Sequence, residues 1–231
     1  MKVLDITGVV ENGMWKYPDP YPPVRIEDLP PIEWVDGPCF SQSLSLSAQT
    51  GTYLETWAHW EDGATTLDEL AIEGFLLDAV IVQVPKRAGQ AVTGEEVSAF
   101  LDQSGESIES GEAVLIATGW DAYWNSPLFL SDPPFLEEAC MRWLVDRQPS
   151  LIGVDSPRWV PPDYDYRQTA RFFRGFLKGT GNTILVCPVN LTQAPTPRGR
   201  LVALPLKLRG TVASPCRAVL IFDDQSIGAP A

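Results

Sequence analysis

Short runs of branched apolar residues recur along the chain, and they predict strands. Val, Ile and Leu fill most of these runs, as is typical of a pleated, buried surface. Residues 40–48 differ, because Ser occupies every odd position from 41 to 47 and mainly apolar residues occupy the even ones. This alternation predicts a half-buried strand that leads into the next segment. The predicted strands cover about residues 3–10, 40–48, 79–84, 113–118, 151–155, 183–187, 201–208 and 216–222.

Capping signals and helical spacing predict three helices between these strands. Thr93 and Glu96 form a capping box, in which the two side chains satisfy free backbone N–H groups of the first turn. After Pro133-Pro134, and again beyond the Asp-Ser-Pro sequence that ends at Pro157, apolar side chains keep helical spacing. The predicted helices cover about 93–103, 134–147 and 167–178, and the last one ends at Gly179.

The whole chain, residues 1–231, is predicted to form one globular α/β domain. With 231 residues and 45% hydrophobic content, it can bury a substantial core. The sequence has no apolar run of about 18 residues that could span a membrane and no pattern of a secretory signal, so we expect a cytoplasmic protein. Two stretches lack regular patterns: a Pro-rich loop at 18–38 and a flexible tail at 225–231.

Charge and cysteine content narrow the classes of partner and of chemistry. The chain has 17 basic and 30 acidic residues, a net charge of −13 at pH 7. Nucleic acid requires a basic surface that displaces counterions, so we expect no nucleic-acid partner. The four cysteines show no CxxC spacing, and we expect reduced, structural thiols.

Candidate chemistry concentrates in residues 47–60, which end near the only histidine of the chain. Gln49, Tyr53, Glu55 and His59 recur there at intervals of four, two and four, and Gly51 offers a turn. Histidine titrates near neutral pH, Glu55 is placed to orient its ring or share its proton, and the Tyr53 phenol and Gln49 amide can polarise a carbonyl. A structural alternative stays open, in which these side chains fill the core or hold the loop by hydrogen bonds.

The same segment resembles the signature of the cyclase family, the group of bacterial kynurenine formamidase and isatin hydrolase. The family motif is His-x-Gly-Thr-His-x-Asp-x-Pro-x-His, and this chain has Gln49-x-Gly51-Thr52-Tyr53-x-Glu55-x-Trp57-x-His59. The last position is the proton donor and acceptor of the family. The resemblance therefore implies the same acid/base role for His59.

Further segments are similar to the family in the same order and extend the resemblance over nearly the whole chain. It implies a single swivelling β/β/α domain with mixed sheets and flanking helices. The similar segments are Leu4–Thr7, Asn12–Met14, Tyr17–Pro20, Gly111–Trp124, Leu151–Pro157, Asn190–Leu191 and Pro205–Val219.

The resemblance also implies that the metal site of the family is replaced. Gln49, Tyr53 and Glu55 stand where the family has two histidines and an aspartate that hold a divalent cation, and Val186 and Arg174 fall at or near its second Glu and His positions. Zinc requires three or four His, Cys or carboxylate ligands, so we expect no metal and no other cofactor. A looser Mg²⁺ or Ca²⁺ site that includes Glu55, Glu61 and Asp62 is the alternative.

Aromatic residues in predicted loops indicate the class of ligand. They should line a pocket or a subunit interface, which favours a hydrophobic, polyketide-like or aromatic small molecule as substrate. The resemblance further implies a homo-oligomer, a dimer or tetramer, in which the N-terminal loop reaches a neighbouring site. Arg174 is expected to contact an anionic substrate group or to pair with Glu55. The candidate substrate-binding residues are Trp15, Tyr17, Trp57, Trp60, Trp120 and Arg174.

These observations leave three hypotheses about function. The preferred one is a metal-independent enzyme that closes or rearranges a ring on a hydrophobic metabolite, with His59 as acid or base, Glu55 orienting it, and Tyr53 and Gln49 polarising a carbonyl. The second is an amide or lactone hydrolase that binds a cation through altered ligands. The third is a catalytically silent protein that binds a small molecule in the same pocket.

Overall fold

The structure is a computed structural model, and it describes residues 1–31, 37, 39–178 and 183–223. The predicted helix stop at Gly179 and the predicted flexible tail at 225–231 lie outside the described residues. The predicted Pro-rich loop at 18–38 is described only in part.

Seven of the described strands close into a barrel. Its order is β12, β11, β5, β7, β9, β10 and β4, and β4 pairs again with β12; β1 lies beside β12 outside the ring. Strands β5, β7, β9 and β10 are parallel neighbours, and the other pairs are antiparallel. The bounds are β1 Lys2–Asp5, β4 Tyr53–Thr56, β5 Leu76–Gln83, β7 Ala113–Ala117, β9 Leu151–Val154, β10 Thr183–Val186, β11 Arg198–Pro205 and β12 Ala213–Phe222.

Two short pairs of strands lie outside the barrel. β2 (Arg25–Asp28) pairs with β3 (Gln42–Ser45) in antiparallel register, and β6 (Ala91–Val92) pairs with β8 (Phe135–Leu136) in parallel register. Within the described residues, no helix is long and apolar enough to cross a membrane.

Both faces of the parallel strands β7, β9 and β10 are buried, which explains their continuous apolar runs. Leu54, Ile81 and Leu115 belong to the apolar cluster inside the barrel. Their strand neighbours, such as Val80 and Val114, belong to a second cluster between the barrel and the helices. Because side chains alternate along a strand, Tyr53 and Glu55 both face outward, on the helix side.

The three predicted helices are confirmed, with ends shifted by a few residues. Helix α1 follows the predicted capping box of Thr93 and Glu96, and α4 has a second capping box formed by Asp165 and Gln168. The apolar faces of α3 and α4 pack in the cluster outside the barrel. The helix bounds are α1 Gly94–Ser104, α2 Leu128–Ser131, α3 Glu138–Val145 and α4 Tyr166–Leu177.

The predicted half-buried strand at 40–48 is wrong in both extent and burial. Only Gln42–Ser45 is extended, and all four residues are exposed. Their partner strand Arg25–Asp28 lies in the predicted loop. The alternating pattern faces no core in the described residues, since Phe40 is 85% exposed and Leu44 is 67% exposed.

The strand prediction also missed β4, which carries the candidate motif. Its four residues are all buried. Three of them, Tyr53, Glu55 and Thr56, carry polar groups and interrupt the apolar run that marks the other strands. The predicted turn at Gly51 is confirmed: its φ is +67°, a value that L side chains rarely adopt.

Candidate active site

Strand β4 holds Tyr53 and Glu55 in place through pairing on both of its edges. Glu55 lies opposite Ile184 of β10 and opposite Ala213 of β12. Both neighbouring strands fix the backbone, so the two side chains project in a defined direction onto the outer face of the barrel.

That face forms the floor of a cavity of about 550 Å³. The N-terminal loop, the segment after β9 and helix α4 complete its walls. Most of these side chains are aromatic or aliphatic, which is typical of a site for a hydrophobic small molecule. The lining residues are Lys16, Tyr17, Pro18, Asp19, Tyr21, Gln49, Tyr53, Glu55, His59, Trp60, Leu130, Pro157, Arg158, Trp159, Val160, Thr169, Phe173, Ile184 and Val186.

Glu55 is an acid in an environment that disfavours its charge. Its side chain is buried, with 4% of the residue exposed. Burial raises the pKa of Glu55 from its ordinary 4.5 to about 8, while the neighbouring Trp60 indole and Gln49 amide oppose the rise. A carboxyl group of this kind is mostly protonated at neutral pH and can exchange a proton near working pH.

His59 is half-buried at the end of a 3-10 turn formed by Trp57–His59. The Thr56 hydroxyl caps this turn by accepting a hydrogen bond from the Ala58 N–H. Burial lowers the pKa of His59, so the ring is neutral at neutral pH. The edge of its ring meets the Trp60 ring at a centroid distance of 4.6 Å.

The predicted orienting role of Glu55 toward His59 is wrong. Within the described residues His59 hydrogen bonds to Gln49 instead, with 3.3 Å between Gln49 Nε2 and His59 Nδ1. Gln49 therefore lies beside both groups: it contacts the His59 ring directly and also lowers the pKa of Glu55.

Tyr17 and Tyr53 form a pair of neutral phenols, and their hydrogen bonds have a direction. The Tyr17 hydroxyl donates to the Pro157 carbonyl at 2.9 Å and lies 3.2 Å from the Tyr53 hydroxyl. Because a phenol has one proton, Tyr53 is the donor between the two. Tyr53 thus uses its proton on Tyr17, and the prediction that it donates to a substrate oxyanion does not fit this arrangement.

Burial reinforces the neutral state of both phenols. It raises the pKa of Tyr17 and of Tyr53 well above the ordinary value of 10.0. Neither phenol therefore acts as a base near neutral pH.

Two of the predicted aromatic contacts, Tyr17 and Trp60, line the cavity. Trp15, Trp57 and Trp120 do not, so their prediction as substrate contacts is corrected. Trp15 packs against Trp124 and Phe129, and Trp57 packs in the outer apolar cluster. Trp120 is 1% exposed, and its indole N–H donates to the Phe129 carbonyl. These three tryptophans therefore pack in the apolar core and do not line the cavity.

Arg174 lies on the exposed side of α4 and outside the cavity lining. Its Nε donates to the Trp60 carbonyl at 2.8 Å. The predicted contacts with substrate or Glu55 are therefore wrong. Arg174 instead links α4 to the candidate motif by a hydrogen bond. The side chains that α4 does present to the cavity are Thr169 and Phe173.

The sequence prediction missed Phe173 and Trp159 as cavity residues. Phe173 stacks on Trp60 with 4.8 Å between ring centroids and an angle of 12°, and its centroid lies 6.3 Å from that of Trp159. The helical spacing identified Phe173 as buried but could not separate the cavity wall from the core. Trp159 lies in a loop, where the sequence pattern does not indicate which aromatic residues line a cavity.

The donor groups of this site do not fit the metal that the family resemblance implies. In the described part of the chain, no group of three or more His, Cys, Asp or Glu side chains could hold a metal ion. Val186, which stands at the family's second Glu position, lies in the cavity lining and offers no donor atom. The alternative Mg²⁺ or Ca²⁺ site is also wrong, because Glu61 pairs with Lys178 at 3.5 Å and lies outside the cavity lining with Asp62.

The cysteines are free thiols, as expected. Burial raises the pKa of Cys140 and of Cys216 to about 12 and that of Cys187 well above its ordinary value. These three thiols are therefore poor nucleophiles.

Comparison with known proteins gives consistent matches. The family model “Cyclase”, described as “Putative cyclase”, matches residues 4–160. The kynurenine formamidase of Salinibacter ruber is 32% identical over 182 residues, which is 77% of this chain and 78% of that protein.

Two solved structures share the fold. Isatin hydrolase A from Ralstonia solanacearum superposes with a TM-score of 0.77 at 23% identity, and covers 95% of this chain and 91% of that one. Isatin hydrolase A from Labrenzia aggregata, bound to benzyl benzoate, has a TM-score of 0.82 at 21% identity, with 96% and 94% coverage.

Proposed function

The chain belongs to the cyclase family, and from this premise we propose that it is a metal-independent enzyme that closes or rearranges a ring on a hydrophobic small molecule. The observation that carries the proposal is the placement of the Glu55 carboxyl group and the neutral His59 ring in one largely apolar cavity. Together they supply two groups that can donate or exchange a proton near neutral pH.

The missing metal donors favour proton transfer over hydrolysis. A bound cation generates hydroxide at neutral pH by lowering the pKa of water, and no group of His, Cys, Asp or Glu side chains among the described residues could hold one. Ring closure by aldol addition requires no hydroxide. A base removes a proton from the carbon beside one carbonyl, the carbanion attacks a second carbonyl carbon of the same molecule, and the new alkoxide oxygen gains the proton.

The cavity walls support a hydrophobic substrate held in a folded shape. Trp60, Phe173 and Trp159 form an aromatic wall, and Ile184 and Val186 form an aliphatic floor. Holding the two reacting carbons of one molecule together lowers the barrier by removing their relative motion in advance. Aromatic or polyketide-like carbonyl compounds have the required size and polarity.

The direct test uses a linear aryl diketone whose carbonyl groups are placed to close a six-membered ring. Enzyme that has been treated with a chelator to remove metal should accelerate ring closure. Glu55→Gln and His59→Ala should each lower the rate by at least about 100-fold, the usual range for lost acid/base catalysis. Glu61→Gln is the matched control, because Glu61 lies in the same segment but outside the cavity lining. A diketone that binds but closes at the same rate in all variants would favour a silent binding protein.

The second candidate is an amide or lactone hydrolase with altered metal ligands. The names of the relatives, kynurenine formamidase and isatin hydrolase, favour it. An assay of isatin ring opening, with and without added Zn²⁺ or Mn²⁺, distinguishes the hydrolase from the ring-closing enzyme. Ring opening of isatin that depends on the added metal would replace our proposal by the hydrolase, whereas we expect no acceleration.

A further inference from the structure

The orientation of the Gln49 side chain follows from its three neighbours. Ser47 Oγ accepts a hydrogen bond from the Gln49 backbone N–H at 3.1 Å and donates to Gln49 Oε1 at 3.3 Å. With Oε1 bound to Ser47, the amide nitrogen faces the other way, where it lies 3.3 Å from His59 Nδ1. Glu55, whose pKa the Gln49 amide lowers, is the third neighbour.

This orientation decides which nitrogen of His59 carries the proton. An amide NH₂ group only donates, so Nδ1 must present its lone pair to Gln49. A neutral imidazole has one proton, and that proton is then on Nε2. A neutral His59 held in this way offers an N–H donor to the cavity and has no free lone pair with which to accept a proton.

We propose that Gln49 is a positioning residue that holds His59 as the Nε2–H tautomer, so that His59 donates a hydrogen bond to a substrate carbonyl while Glu55 transfers the proton. This division of roles rests on the proposed function and refines it, because the sequence hypothesis assigned the acid/base role to His59 and an orienting role to Glu55.

The proton and electron pairs balance in this scheme. In the fraction of molecules in which Glu55 is ionised, which grows as the pH approaches its pKa of about 8, the carboxylate removes a proton from the carbon beside the carbonyl. The electron pair of the broken C–H bond moves to form the enolate, whose oxygen accepts the hydrogen bond from His59 Nε2. When the enolate carbon has attacked the second carbonyl, Glu55 returns its proton to the new alkoxide. The combination of a carboxylate base with a neutral imidazole donor suits enolisation in general.

The scheme also explains why a glutamine is suitable beside the histidine. A protonated His59 would carry a hydrogen on Nδ1, directed at the amide hydrogens of Gln49. That contact disfavours the charged ring, in the same direction as burial, which lowers the pKa of His59. A carboxylate in place of Gln49 would do the opposite and would accept a hydrogen bond from Nδ1–H.

The test is ¹⁵N NMR of protein labelled at histidine. His59 is the only histidine, so the spectrum contains one pair of ring nitrogens, and the protonated nitrogen is distinguished from the bare one by its chemical shift. At a pH where the ring is neutral, we expect the proton on Nε2 in the wild type and on Nδ1 in Gln49→Glu. Ser47→Ala keeps the amide but removes the hydrogen bond to Gln49 Oε1, so it should weaken the preference for the Nε2–H form.

A wild-type ring with its proton on Nδ1, or with equal populations of both tautomers, would overturn the proposal. If Gln49→Glu does not fold, the wild-type spectrum alone decides. The experiment uses no substrate, so its failure is separate from a failure of the diketone assay: the tautomer can be wrong while ring closure is confirmed, and the reverse.

Discussion

Glu55 couples the chemistry of the cavity to the stability of the fold. Its pKa is raised to about 8 in the folded protein by burial, whereas in the unfolded chain it returns to its ordinary value. Between these two values the folded state binds more protons than the unfolded state, so the free energy of unfolding decreases as the pH rises. Burial of Glu55 therefore destabilises the folded state least at acidic pH.

Glu55→Gln should remove this dependence. From about pH 5 to about pH 8, Glu55 alone lowers the free energy of unfolding of the wild type by up to about 1.4 kcal/mol per pH unit. Asp155, whose pKa burial raises to about 7, contributes in the same direction in both proteins and cancels in the comparison. Urea unfolding at the two pH values measures the slopes, and equal slopes would show that Glu55 is not a buried acid.

Tyr17→Phe tests the direction of the phenol hydrogen bonds. The substitution leaves the Pro157 carbonyl without the Tyr17 donor and should cost about 1–3 kcal/mol of stability. Tyr53→Phe removes only the bond between the phenols and should cost less. Tyr21→Phe is the control, since its hydroxyl makes no hydrogen bond within the described residues. Chemical denaturation of the three variants should give this order, and a larger loss in Tyr53→Phe would contradict it.

At the residue scale, the sequence identified the four central side chains because they lie within eleven consecutive positions. The spacing of Gln49, Tyr53, Glu55 and His59 places them along one strand and the turn on each side of it. Their partners could not be assigned in this way. Which of Glu55 and Gln49 bonds to His59 depends on the turn after β4, and the position of Arg174 depends on the rotation of a helix 114 residues away in sequence from its partner Trp60.

At the element scale, the N-terminal segment packs tightly on the turn that follows β7. A Cβ added to Gly8 would lie 2.2 Å from the Trp124 ring, while the Trp124 indole donates to the Val9 carbonyl at 3.2 Å. The chain can pass this rigid ring only with glycine at that point. The contact positions the loop that continues to Tyr17.

Gly8→Ala should therefore destabilise the fold by about 1–3 kcal/mol, as overpacking usually does. Gly175→Ala is a matched substitution in helix α4, where an added Cβ has no neighbour within 4 Å. It should stabilise the protein by about 0.5–1 kcal/mol, because alanine favours a helix more than glycine does. Thermal unfolding of the two variants should show shifts of opposite sign, and a harmless Gly8→Ala would contradict the described packing.

Strands with an unbroken run of apolar residues were predicted well, and strands with a mixture of polar and apolar residues were not. The barrel strands β5, β7, β9 and β10 have long apolar runs because both of their faces are buried. Strand β4 is equally buried but carries Glu55 and Thr56, so its burial depends on neighbours that are distant in sequence. Strand β3 lies in a segment whose alternation predicts a buried face, but all four of its residues are exposed.

At the scale of the whole molecule, the exposed β2–β3 hairpin supports the expectation of a homo-oligomer. A two-stranded hairpin is marginally stable by itself, and among the described residues this one exposes Leu44 and the neighbouring Phe40. We propose that a second copy of the chain covers these two side chains.

Light scattering during size exclusion should give a mass at a multiple of the monomer for the wild type. Phe40→Ser combined with Leu44→Ser should reduce it toward the monomer, because the apolar contact is lost. Ser43→Ala, on the opposite side of the strand, should leave the mass unchanged. A wild type that is monomeric at all concentrations would contradict the proposed contact.

Metal content tests the proposal that this member of the cyclase family does its chemistry without a metal. Protein produced in medium supplemented with Zn²⁺, Mn²⁺ and Mg²⁺, then dialysed, is measured by plasma mass spectrometry together with His59→Ala. We expect far less than one equivalent of any of these metals in both proteins, because the described site offers no suitable set of ligands. One equivalent in the wild type that is lost in His59→Ala would contradict it and favour a metal-dependent hydrolase.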